Sequence, residues 1–322
     1  MITIKEALTK KEIKDYVMFS FELYKNNPYW IPPIIAEELE TFDKTKNPAL
    51  QTAEAHFYLA YKDNKIVGKI AAIINWEEVN LLGKRKARFG WFDAIDDIEV
   101  TKALLDKVEE LGRKHNMDHM EGPMGFSNLD KVGILSEGFD QMGNMITWYS
   151  LPYYITHFEQ LGFTKEKEYI ESDFSFNGIN PEPFQKASEL IKKRYELRSL
   201  NFTKTKDIMP YVDKMFDLFN ETYAKLQSFV PINDIQKAYF KKKYISFINP
   251  EFIKFIVDKN DNMIAFAIVM PGFAQALKKA NGKLFPFGFY HLLQARKHSK
   301  EVVFYLIGVL PEYQSKGITA IV

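Results

Sequence analysis

Apolar and polar positions follow the same order twice along the chain. In KDYVMFSFELY, Tyr16, Val17, Phe21 and Leu23 recur on a helical pattern. In PYVDKMFDLFN, Tyr211, Val212, Phe216 and Leu218 do so again about 195 residues later. A second pair of matching segments lies at nearly the same offset. HFYLAYKDNKIVGKIAAII, residues 56–74, reads as strand, Lys-Asp-Asn-Lys turn and strand. FIKFIVDKNDNMIAFAIVM, residues 252–270, repeats it with Asp-Lys-Asn-Asp-Asn at the turn. Each half therefore runs strand, helix, hairpin and a further apolar strand, Phe89–Phe92 in the first and Val302–Val309 in the second. The pattern predicts an α/β (α+β) chain of two tandem domains. Two unrelated α+β domains with similar patterning are the alternative.

Gly, Asn and two prolines interrupt the periodicity in FNGINPEPF, Phe176–Phe184, and place the boundary there, with domains over 1–178 and 179–322. A helix over Phe184–Arg194 and a strand in ELRSLNFTK then lead into the second copy. Residues 272–300 form a longer insertion with a helical centre, PFGFYHLLQARK, which has no equal in the first half.

With 322 residues, 46% of them hydrophobic, the chain has ample material for two cores. Lys plus Arg number 43 and Asp plus Glu 42, and no basic stripe interleaves with aromatics, so nucleic acid is not an expected partner. The absence of cysteine excludes disulfides, thiolate zinc sites and a cysteine nucleophile, and it suits a cytoplasmic protein. The N-terminus MITIKEALTKKEIKDY is charged throughout and lacks the apolar core of a signal peptide, and the longest apolar runs are strand-sized, so no membrane span is expected. His115 and His119 stand four apart, but Asn116 and Asp118 predict a helix end between them, so no metal site is expected.

The segment LIGVLPEYQSKGITAIV, residues 306–322, carries the most specific chemistry. It reads as a strand, a tight turn holding Gln314 and Gly317, and the first turn of a helix. Helix starts expose unpaired N–H groups and a positive dipole end, which suits a diphosphate. Gly317 permits close approach of the backbone, and Gln314 and Lys316 can supplement the amides.

The order strand, helix, hairpin, strand and then V-x-P-x-x-Q-x-x-G resembles the GNAT acyltransferase superfamily, and the resemblance covers most of the chain as two tandem copies. NNPYWIPP (26–33), EGPMGFSN (121–128), GILSEGF (133–139) and LPYYITHFEQLGF (151–163) resemble a poorly characterised bacterial group of tandem-GNAT proteins. The resemblance implies mixed central sheets flanked by helices. It also implies an acetyl-CoA or other acyl-CoA site at Val309, Gln314, Ser315, Lys316, Gly317, Ile318 and Thr319, with the backbone N–H of Val309 polarising the thioester carbonyl. Thr319 departs from the Gly or Ala usual at its position. Tyr305 is the only polar side chain of strand Val302–Val309, a candidate catalytic group or simply a core aromatic.

At the equivalent place the first half reads GWFDAIDDIEVTKALLDKVEELGRK. Asp93, Asp96, Asp97 and Glu99 stand where a diphosphate would sit, and acids there cap a helix N-terminus. Phe158 occupies the position at which the resembled family often has a proton-donating tyrosine. Tyr153 and Tyr154, nearby, are either substitutes or buried aromatics. In the loop EGPMGFSN, Ser127 and Asn128 are candidate substrate contacts.

These readings converge on an acyl-CoA-dependent N-acyltransferase, with the cofactor in the second domain and a small-molecule or peptide amine as acceptor. A Fem-like aminoacyl transferase and a non-catalytic ligand-binding protein with a decayed GNAT fold are the alternatives. A half-sheet that stops just past Gly317 predicts that the second domain is incomplete and the chain truncated. Oligomeric state stays open.

Overall fold

A computed structural model describes the chain except Asn128, Gln227, Ser246 and Phe247, and the side chain of Tyr244. The chain divides into two compact units, Met1–Thr164 with Gly272–Ser299, and Lys165–Pro271 with Lys300–Val322.

In the first unit a five-stranded sheet has the order β1 (Ile2–Glu6), β2 (Ala53–Lys62), β3 (Lys65–Asn75), β4 (Lys86–Ala94), β5 (His119–Glu121). All pairs are antiparallel except β4 with β5. Helix α1 (Lys10–Leu23) opens with a capping box between Thr9 and Glu12, as Thr-x-x-Glu before an apolar run should. Alternation along β3 then sorts the core. Ile70, Ala72 and Ile74 join Val100, Leu104 and Val108 of α2 (Ile98–Lys114) on one face. Ala71 and Ile73 join Tyr16 and Val17 of α1 on the other. Both faces are covered, which is why β3 reads as a nearly continuous apolar run. Helix α3 (Tyr153–Gln160) adds Tyr154 and Phe158 to the α2 face.

The second unit holds a four-stranded antiparallel sheet, β6 (Arg198–Leu200), β7 (Ile253–Val257), β8 (Met263–Pro271), β9 (Val302–Val309). Helix α4 (Glu182–Tyr195) supplies Ile191 to a cluster with Leu197, Ile256, Ile264, Ile318 and Ile321. Helix α5 (Val212–Tyr223) ends with Tyr223, whose hydroxyl donates to Ile307 O at 3.0 Å.

The internal repeat is visible in the registers. Each hairpin carries an irregularity before its turn, at Ala60/Tyr61 in one and Ile256/Val257 in the other. Each final strand closes with the same bond, Ile95 N–H to Val67 O and Leu310 N–H to Ile264 O, both 2.9 Å.

Two expectations need correction. The division falls at 164/165 rather than 178/179, and 272–299 belongs to the first unit. The reason is its apolar face: Phe273, Ala276 and Ala280 of helix α6 (Ala274–Ala280) and its approach, with Leu292 of α7 (Gly288–His298), pack on Ile34. Finally, 311–320 forms two 3-10 turns, Pro311–Lys316 and Ile318–Ala320, rather than the start of an α-helix. Gly317, at φ +73°, separates them, because a left-handed residue interrupts helical continuation.

Candidate functional site

The centre of the first unit's site is a carboxylate at the end of β4. Asp93 lies opposite Lys69 of β3, and both side chains are buried, with Lys69 Nζ 3.6 Å from Asp93 Oδ2. The hydroxyl of Ser20 donates to Oδ2 at 2.6 Å and that of Tyr24 to Oδ1 at 2.8 Å, both from α1 and its C-terminal end. From α3 the hydroxyl of Tyr154 lies 3.3 Å from Oδ1 and accepts the Ala94 N–H at 3.0 Å. Burial, reinforced by the negative charge of Asp93, raises the phenols of Tyr24 and Tyr154 well above their ordinary value. Both therefore stay protonated and serve as hydrogen-bond donors. The Lys69 ammonium also sits 4.9 Å from the centroid of the Tyr16 ring.

Above this floor opens a cavity of about 70 Å³, walled by aromatic rings that include Trp30, Trp91, Trp148 and Tyr149. Tyr24 and Trp30 stack with centroids 5.2 Å apart. Lys131 also lines the cavity, where burial pushes its ammonium below the ordinary lysine value while Glu38 opposes the shift. A ring of apolar faces around a few convergent polar groups is the usual make-up of a small-molecule site.

The acidic run read as a set of helix caps splits into separate roles. Asp97 does cap α2, accepting the Glu99 N–H at 3.1 Å, and pairs with Lys62 at 2.8 Å. Asp93 is instead the buried centre just described, a correction to the capping assignment. Asp96 Oδ1 lies 3.1 Å from His157 Nε2, and His157 Nδ1 lies 2.9 Å from Thr101 Oγ1. Hydroxyl, imidazole and carboxylate thus stand in the order of a nucleophile relay. Thr101, however, is fully buried on α2, so no substrate carbonyl reaches it. The relay ties α3 to α2.

The remaining sequence candidates fall as follows. The Tyr153 hydroxyl donates to Ala94 O at 2.7 Å, beside the site. Ser127 uses its hydroxyl locally, accepting the Leu129 N–H at 3.2 Å, and its loop contributes Pro123 to the cavity in its place. Asn128 lies outside the described residues. His115 caps the end of α2 and His119 opens β5, so the predicted helix break between them is observed. Ser20, Tyr24 and Lys69 were not singled out from sequence. A lone lysine inside the apolar run VGKIAAII was the available signal.

The second unit repeats this strand end with different side chains. Gly68 and Lys69 face Ala94 and Asp93, while Ala265 and Phe266 face Val309 and Gly308. The buried Lys–Asp pair is thus replaced by Phe266 against Gly308. A Cβ at Gly308 would fall 2.3 Å from the Phe266 ring and 2.8 Å from Thr222 Oγ1. Since Leu310 N–H bonds back to β8, alternation turns the Val309 amide away from β8, and β9 is the edge strand among the described residues. Gln314 donates from Nε2 to Val309 O at 3.1 Å. The Lys316 ammonium lies 4.3 Å from the Tyr313 ring centroid and 5.3 Å from that of Tyr195. Ser315 lies within the first 3-10 turn, and Ile318 is buried in the cluster with Ile191 while Thr319 follows it in the second. Tyr305 occupies the extra position where β9 slips against Ile268 and Val269.

Two such units in one chain make the tandem GNAT fold. A tandem GNAT protein from the clavulanic acid biosynthesis pathway superposes with a TM-score of 0.50 at 10% identity, covering 100% of this chain and 83% of that one. No family model matches the chain. Protein YghO of Escherichia coli K12 is 28% identical over 326 residues, covering 99% of this chain and 81% of YghO. The bacterial ceramide synthase of Caulobacter vibrioides is 25% identical over 319 residues, covering 98% of this chain and 82% of the synthase.

Proposed function

We propose that the protein is an acyl-CoA-dependent N-acyltransferase whose second unit holds the acyl donor along β9 and the turns that follow it. The observation that carries this reading is the strand end itself, with the Val309 amide turned to the open edge beside a side-chain-free Gly308. An acyl-CoA supplies an activated acyl carbon. The Val309 N–H is suited to hydrogen-bond the acyl oxygen and draw charge onto it. Gly308, without a side chain, lets the Phe266 ring pack flush against β9 beside that amide. Gly317, in the left-handed region, lets the backbone of the second 3-10 turn approach a phosphate. The residues fit the acyl end of the donor better than its diphosphate end, where Gln314 and Lys316 are engaged by the chain's own groups. The first unit offers a separate polar pocket at Asp93, suited to hydroxyl or amino groups of a small molecule. The tandem GNAT fold supports acyl transfer, and kinship with a protein named a ceramide synthase supports an amine acceptor.

A ligand-binding protein without turnover is the second reading, favoured by that internal engagement of Gln314 and Lys316. Titration calorimetry with acetyl-CoA and with long-chain acyl-CoAs separates them. Binding that Gly317→Glu abolishes, with thiol release on adding an amine acceptor, supports the transferase. Binding without release favours the second reading, and no binding of any acyl-CoA refutes both as stated.

A further inference from the structure

We propose that residues 281–298 of the first unit dock on an anionic membrane surface. Phe285, Phe287, Phe289 and Tyr290 are 80%, 70%, 53% and 58% exposed, four large aromatic side chains within six consecutive positions. Single exposed apolar residues are ordinary, but a contiguous group of rings marks a contact surface. The segment beneath them is firmly seated. Gly282 O accepts the Ile35 N–H at 2.9 Å, and Leu292 is buried with Ile34, Phe273, Ala276 and Ala280. On α7, Gly288, Leu292 and Ala295 follow the i, i+4, i+7 spacing of the inward face, which leaves Tyr290, Gln294 and Lys297 on the opposite one. The rings are therefore held outward by an anchored base.

Charge identifies the occupant. Residues 272–300 contain six Lys and Arg and no Asp or Glu, in a chain whose totals are 43 Lys and Arg against 42 Asp and Glu. Among the described residues, none of Lys278, Lys279, Lys283 and Lys297 is in an ion pair. A second copy of the chain meeting this face by two-fold symmetry would set the same cations against each other. An anionic lipid surface answers both features, since rings settle at the headgroup level and lysines meet the phosphates. No described helix is long and apolar enough to cross a membrane, so the contact is one of surface docking. The proposal is independent of acyl-CoA binding.

The test is flotation of the full chain with vesicles of phosphatidylcholine alone or mixed with phosphatidylglycerol, at low and high salt. The expected result is binding to the mixed vesicles that weakens with salt, and little binding to phosphatidylcholine alone. Phe285→Ser with Phe287→Ser should weaken it by about tenfold. Lys279→Glu, Lys283→Glu and Lys297→Glu together should weaken it by about fivefold per lysine removed. All five positions are exposed, and an unchanged thermal transition confirms that each variant is folded. Failure of the native chain to bind mixed vesicles overturns the proposal. So does binding that survives in both variants, or self-association in solution that the Phe variant abolishes while vesicle binding is absent.

Discussion

Replacing Asp93 with Asn keeps the size of the side chain and one acceptor oxygen while removing the charge that faces Lys69. Lys69 is 4% exposed, so its ammonium would be left buried without an ionic partner. Breaking a buried pair on one side costs about 3–5 kcal/mol. With the amide oxygen at the Oδ1 position, Tyr24 and Tyr154 keep their acceptor and only Ser20 faces the amide nitrogen, so this adds little. All four tryptophans, Trp30, Trp76, Trp91 and Trp148, belong to the first unit, so their fluorescence follows that unit's unfolding separately from the second. With a urea slope of about 2–3 kcal/mol per molar, the fluorescence midpoint should fall by about 1–2 M. Lys69→Met alone should cost less, because Asp93 keeps the Ser20 and Tyr24 hydrogen bonds. The double variant Lys69→Met, Asp93→Asn should recover most of the loss caused by Asp93→Asn. A midpoint shift below about 0.3 M for Asp93→Asn, or no recovery in the double variant, would refute the assignment of a coupled buried pair.

Glu54 provides a pH-dependent counterpart. Burial raises its carboxyl, but hydrogen bonds from His56, His115 and Lys114 outweigh that and bring it down to about 2. A depressed carboxyl contributes stability above its unfolded value near 4.5 and loses it as pH falls toward 2. Glu54→Gln should therefore cost about 1–2 kcal/mol at neutral pH, and the gap in urea midpoint should narrow steadily below pH 4.5. A gap that stays constant down to pH 3 would count against it. In the second unit, Gly308→Val should push the Phe266 ring aside and weaken acyl-CoA binding by at least about tenfold in calorimetry, and unchanged affinity would remove Gly308 from the donor site.

The hairpins were legible because period-two alternation and Asp/Asn-rich turns are local signals. The offset between copies survived in the strand registers for the same reason. The position of 272–299 was not legible: an apolar face announces that a segment packs, not what it packs against. Asp93 was misread as a cap because acids beside a helix start usually are caps, and its neighbour Asp97 is one. The partners that give it another role come from 73, 69 and 61 residues away, as Ser20, Tyr24 and Tyr154, and no local pattern joins them.

The strand registers also account for how two copies of one fold hold different chemistry. At the same strand end one copy has Lys69 with Asp93 and the other Phe266 with Gly308. Changing Gly308 to Asp alone would drive a carboxylate into the Phe266 ring with no cation to meet it. Changing Phe266 to Lys alone would bury an ammonium opposite a glycine. Either single step leaves an unpaired charge in a packed interior, a cost comparable with much of a domain's net stability. The two positions are therefore coupled, and a copy that holds one pairing is held away from the other. A polar floor under an aromatic cavity in one unit and a ring packed flush against a glycine in the other follow from that single coupled choice.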